Sequence, residues 1–137
     1  AASDVYKRQV WDSVFSVEND EIDNDHRILM NIFNLLGRSV LAGERQQYIE
    51  AVLEELISCA AWHFCHEERL MLKHGYMELE EHRQEHLELM ESVRELQQEI
   101  LRTGQLEEKE FEFLEQWLTG HILAADMKFG EYLINAA

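Results

Sequence analysis

From residue 21 onward, apolar side chains return every three or four positions, the step that lines one face of an α-helix. One stripe runs Ile22, His26, Leu29, Phe33, Leu36, Val40, and a second Val52, Leu56, Cys59, His63, Glu67, Leu70. A third runs Leu79, His82, His86, Leu89, Val93, Leu96, Ile100, and a fourth Phe111, Leu114, Trp117, Leu118, His121, Ile122, Ala125, Phe129. Gly43, Gly75 and Gly104 stand between the stripes, where a helix commonly closes on a left-handed residue. The pattern predicts helices over residues 21–42, 45–74 and 79–103, and a fourth from about residue 107. Connections this short leave consecutive helices antiparallel, so the expected fold is all-α: an up-down-up-down antiparallel four-helix bundle.

Composition agrees with this pattern. The 137 residues include no proline and only six glycines, which suits long uninterrupted helices. A formal charge of −16 would repel phosphate backbones and anionic lipid, so neither nucleic acid nor a membrane surface is an expected partner. No apolar run approaches the roughly 20 residues that cross a bilayer, and the N-terminus lacks the order of a secretory signal; the chain reads as cytoplasmic and monomeric. Residues 1–10 read as an extended N-terminal segment, within which Ser3 to Gln9 resemble a translated sequencing adapter; residues 11–137 read as one domain. Cys59 and Cys65, six apart on one predicted helix, are too far separated for a disulfide, and Cys65 is expected to be at least half-buried. Trp62, Phe64 and Met71 are read as core and bundle-edge packing.

The stripes also carry residues that do not belong in an apolar core. His26, His63, Glu67, His82, His86 and His121 all lie on them, with Asp126 close to the fourth. Burying these groups without partners would cost several kcal/mol in total. A spacing of four stacks His63 on Glu67 and His82 on His86, so each pair can grip a common centre. The five-residue step from His121 to Asp126 needs a local distortion such as a π-bulge. His66 and His74 are read as structural. Five imidazoles and two carboxylates exceed what one ion takes and suit two. If both carboxylates bridge and one oxide or hydroxide is shared, a single coordination position stays open.

Together Ile22-Asp23-Asn24-Asp25-His26, His63-Phe64-Cys65-His66-Glu67-Glu68, His82 with His86, and Trp117-Leu118 before His121-Ile122 and Asp126 resemble the hemerythrin family, specifically its bacterial members. The resemblance covers nearly the whole chain from Trp11. It implies a non-heme di-iron site (Fe2+/Fe3+) with a bridging oxide or hydroxide, in which His82, His86 and His121 hold one iron, His26 and His63 the other, and Glu67 and Asp126 bridge. It implies reversible binding of dioxygen for transport, storage or delivery, with azide, chloride or nitric oxide as further small ligands, in a pocket lined by Trp117, Leu118 and Ile122. One departure is Met77, after Gly75-Tyr76, where many bacterial relatives carry proline. The expected activity is binding rather than enzymatic turnover. Carboxylate-rich di-iron enzymes use Glu-x-x-His pairs, whereas Asp23, Ala60, Leu79, Arg83 and Leu118 stand three residues before the five histidines. Alternatives are an oxygen, redox or nitric-oxide sensory domain of a larger signalling protein, and a di-iron peroxidase or oxidase.

Overall fold

The computed structural model describes residues 19–136, with the side chains of His121, Leu123 and Ala136 outside the description. The expectations for residues 1–10 and for Trp11 therefore fall outside the described residues.

Helix α1 spans Asp20–Leu41. Asn19 starts it by accepting the Ile22 N–H on its side-chain oxygen at 3.1 Å, and Asp20, Glu21 and Asp23 complement the positive end of the helix dipole. Gly43, with φ of 68°, closes it: the Gly43 N–H reaches the Val40 carbonyl and the Glu44 N–H the Ser39 carbonyl, each at 3.1 Å. Helix α2, Gln46–Lys73, ends in the same way beside Gly75, and α3, Leu79–Thr103, ends on Gly104, whose φ is 71° and whose N–H reaches the Ile100 carbonyl at 2.8 Å.

The fourth rod is composite. Helix α4, Glu108–Glu115, passes into a π-helical stretch, Gln116–Ile122, and then into α5, Leu123–Ala136. A π-turn inserts an extra residue into the helical repeat. A π-helical distortion is thus present in this rod, but it lies mostly before His121 and overlaps the expected step from His121 to Asp126 only at His121 and Ile122.

Cross-helix contacts run in opposite order along neighbouring helices. On α1 and α2, Asp25 meets His63 while Glu21 meets His66. On α2 and α3, Glu54 meets Arg94 while Glu68 meets Arg83. On α1 and the fourth rod, Phe33 stacks on Phe111 at 4.7 Å while His26 meets Asp126. The fold is the antiparallel four-helix bundle that the stripes predict.

Two apolar clusters fill its interior. The larger runs from Leu29 and Phe33 through Leu53 and Leu56 to Phe111, Trp117, Leu118 and Ile122; the smaller holds Ile22, Leu70, Met71, Tyr76 and Phe129. Each helix crosses from one cluster to the other through one or two turns of polar residues, so the polar layer has hydrocarbon above and below.

Two sequence expectations need correction. Cys65 is exposed rather than half-buried, and Trp62 is 57% exposed rather than part of the core. Residues 62, 65 and 69 follow helical spacing on the outward face of α2, because His63, Phe64 and Glu67 occupy its inward face. Cys59 and Cys65 are both free thiols. Among the described residues no helix is long and apolar enough to cross a membrane.

Candidate metal centre

Six of the seven predicted metal-competent side chains meet in the polar layer. His26 comes from α1, His63 and Glu67 from α2, His82 and His86 from α3, and Asp126 from α5; none is more than 4% exposed. His121 lies in the π-helical stretch, with its side chain outside the described residues. The six form two overlapping groups, His26–His63–Glu67–Asp126 and Glu67–His82–His86–Asp126, whose ligand atoms lie within 4.8 Å of one another. Both groups share the same two carboxylates.

The oxygens of those carboxylates are divided between the groups. Glu67 Oε2 lies 3.4 Å from His63 Nε2, while its Oε1 lies 3.2 Å from His86 Nε2 and 3.3 Å from His82 Nε2. Asp126 Oδ2 lies 2.6 Å from His26 Nε2 and 2.7 Å from His63 Nε2, while its Oδ1 lies 3.8 Å from His82 Nε2. Four imidazoles therefore present Nε2 inward, and each carboxylate offers one oxygen to each side.

Protons alone satisfy this arrangement poorly. Both Glu67 oxygens, His82 Nε2 and His26 Nδ1 are buried without a hydrogen-bond partner, although Glu67 and His82 lie within ion-pair distance. An unsatisfied buried polar atom costs about 1–3 kcal/mol. Burial opposes a charge on His63, yet the Asp126 charge and contacts with Asp126, Asp25 and Glu67 hold its imidazole well above the usual range. Burial likewise opposes a charge on His82, but Asp126 and Glu67 push it up to about 10. Burial should raise the Asp126 carboxyl, while Glu67, His63 and His26 hold it well below the usual range. A set of inward imidazole and carboxylate donors, of which both Glu67 oxygens and His82 Nε2 lack a hydrogen-bond partner, is chemically suited to two divalent cations, and so fits a di-iron site.

The outward nitrogens of two histidines are tied down. His63 donates from Nδ1 to Asp25 Oδ2 at 2.9 Å, and His66 donates from Nδ1 to that same oxygen at 2.6 Å. The other ring nitrogen of His66, Nε2, lies 3.0 Å from Glu21 Oε2. On the other side His86 donates from Nδ1 to Glu68 Oε2 at 2.7 Å. Arg83 donates to Glu68 Oε1 at 3.2 Å and to Glu80 Oε1 at 2.6 Å. The sequence reading assigned no role to Asp25, Glu68 or Arg83. The available signal was the placement of Asp25 beside His26 and of Glu68 beside Glu67.

Trp117, Leu118 and Ile122 are buried at the edge of the larger apolar cluster. The Trp117 indole N–H donates to the Leu89 carbonyl at 2.9 Å, fixing the ring between α3 and the fourth rod. Trp117 borders a cleft of about 560 Å³ between these elements, whose wall also includes His82, Glu85, Leu89 and Gly120.

Residues 17–133 match the family model described as the hemerythrin HHE cation binding domain. The chain is 29% identical to a myohemerythrin of Riftia pachyptila over 120 residues, covering 88% of this chain and 89% of the relative. It is 29% identical to a bacteriohemerythrin of Clostridium acetobutylicum over 126 residues, covering 88% and 97%. Against a bacteriohemerythrin of Methylococcus capsulatus identity is 30% over 113 residues, covering 81% and 85%. No solved structure matches the chain significantly. With a four-helix bundle, a paired histidine and carboxylate cluster at its core, and a family match over most of its length, this chain belongs to the hemerythrin family.

Proposed function

We propose that the centre holds two iron ions joined by an oxide or hydroxide and binds dioxygen reversibly, as a carrier or store. The observation that carries this reading is the division of the Glu67 and Asp126 oxygens between two histidine groups, the arrangement that two bridging carboxylates require. On this reading His26 and His63 serve one ion, and His82 and His86 the other, with His121 completing the second set. Bound iron would supply two electrons and, beside His26 and His63, one open coordination position.

The protein's own contribution is positional. On this reading the buried apolar side chains of Leu118 and Ile122, with Trp117 beside them, would line the ligand position and limit water there, which would favour release of the ligand intact. The imidazole-rich donor set supports binding over oxygen–oxygen bond cleavage, because neutral nitrogen donors stabilise high-valent iron less than carboxylates do. Azide, chloride and nitric oxide would take the same position.

The test is an optical spectrum of anaerobically reduced protein, recorded again in air and again after return to inert gas. Visible absorption should appear in air and disappear on removal of oxygen. A one-way change with release of peroxide would replace this reading with an oxidase.

A further inference from the structure

His66 contributes nothing to either ligand group, yet it is held at both ring nitrogens and is only 11% exposed. Its partners explain the placement. On α2, His63 and His66 are three apart and so rise from adjacent turns of one face. Both reach back to one carboxylate oxygen on α1, Asp25 Oδ2. Asp25 is itself 3% exposed, so water does not readily replace a lost donor. Beyond His66 the chain of contacts ends on Glu21, at the surface.

A metal-ligating imidazole must present one nitrogen to the ion while the other carries the proton, and the group accepting that proton's hydrogen bond sets ring orientation and tautomer. For His63 that acceptor is Asp25. A carboxylate gripped by a single N–H can still rotate about its Cβ–Cγ bond. The second grip, from a residue braced at its far nitrogen by Glu21, restricts this rotation.

We infer that His66 is a positioning residue for the metal ion on the His26 and His63 side: it fixes the Asp25 carboxylate, which in turn holds the His63 ring with Nε2 facing the centre. The inference rests on the two-metal reading of the centre, and its readout requires no dioxygen. Metal release tests it. Protein loaded anaerobically with ferrous iron is mixed with a ferrous chelator, and release is followed in wild type, His66→Ala and His66→Gln. Loss of a group hydrogen-bonded directly to a ligand typically weakens a metal site by about 10- to 100-fold, and for His66, one contact further out, the lower end of about 10-fold is expected. His66→Ala should release one of its two ions faster by about that factor, with the other ion leaving at the wild-type rate. His66→Gln keeps an N–H donor within reach of Asp25 and should restore most of the retention. Equal acceleration of both ions, or release of both at the wild-type rate, would overturn the inference. If His66→Ala does not fold, Asp25→Ala, which removes the acceptor itself, tests the same chain one bond nearer the metal, and wild-type release from that variant overturns it equally. Failure of wild-type protein to hold two ions would instead strike the two-metal reading itself.

Discussion

The two halves of the centre are built on one local plan and differ in burial. In each, two residues three apart on one helix grip a carboxylate of the preceding helix: His63 and His66 grip Asp25, and Arg83 and His86 grip Glu68. Both chains then end on a surface glutamate, Glu21 or Glu80. The Asp25 carboxylate is 2% exposed and its second donor is an imidazole. The Glu68 carboxylate is 24% exposed and its second donor is a guanidinium 37% exposed. Water can stand in for a lost partner on the Glu68 side far more readily than on the Asp25 side. Similar hydrogen-bond counts thus conceal unequal consequences, and the half that depends most on its brace is the one proposed to carry the open position.

The largest effect should come from the residue the halves share. Glu67 is fully buried and offers one oxygen to each group. Glu67→Ala removes a donor from both at once, so metal content should fall from about two ions per chain to below about one. Elemental analysis of protein loaded with excess ferrous iron and then desalted provides the measurement. Retention of one full ion would mean that the halves bind independently and that Glu67 serves only one of them.

Acidity gives the next effect. In metal-free protein the His82 proton is held to about pH 10, whereas an unfolded chain releases it near 6.5. Its protonated form therefore stabilises the fold fully below about pH 6.5, and that contribution is lost as pH rises toward about 10. His63, raised in the same direction, adds to this. Metal reverses the trend, because iron displaces those protons and binds more tightly as pH rises. Urea midpoints of metal-free protein should fall between pH 6 and pH 9, while loading releases protons detectable with an indicator in weak buffer. A midpoint rising with pH in metal-free protein would contradict the assignment of raised imidazoles to this layer.

Most of the helical frame was legible in the sequence, because stripe and glycine signals are local. The helix bounds lie within a residue or two of those predicted, and a π-helical distortion is present in the fourth rod, though mostly upstream of the step between His121 and Asp126 for which it was expected. The candidate ligands were legible for a related reason: a histidine on a buried stripe conflicts with its neighbours. The braces were not. Asp25 and His63 are 38 positions apart, and Glu68 and His86 are 18 apart, so each pairing depends on helix rotation and axial offset, which periodicity does not specify. The outward aim of Trp62 and Cys65 was missed through another ambiguity. An aromatic or thiol one or two residues from a stripe falls on either side of the helix edge, and the neighbours Phe64 and Glu67 had already filled the inner face.

The smallest predicted effect is the sharpest check on the contrast between the halves. Arg83→Ala removes the second donor to Glu68, the counterpart of removing His66 from Asp25. Arg83 and Glu68 are both partly in water, where such ion pairs are worth about 0–1 kcal/mol. The carboxylate left behind stays hydrated through its exposed edge and still accepts the His86 N–H. His86 is also stacked face to face on Phe64, with ring centroids 4.0 Å apart and planes 11° apart, so its orientation does not rest on Glu68 alone. Metal release from Arg83→Ala should therefore stay within about fivefold of wild type, as expected for a contribution below about 1 kcal/mol. The small change should shrink further in high salt, which screens exposed pairs. The same chelator assay used for His66→Ala makes the comparison direct. Acceleration of one ion by Arg83→Ala as large as that by His66→Ala would show that burial of the brace does not set its importance, and that the two halves are equivalent in practice as well as in plan.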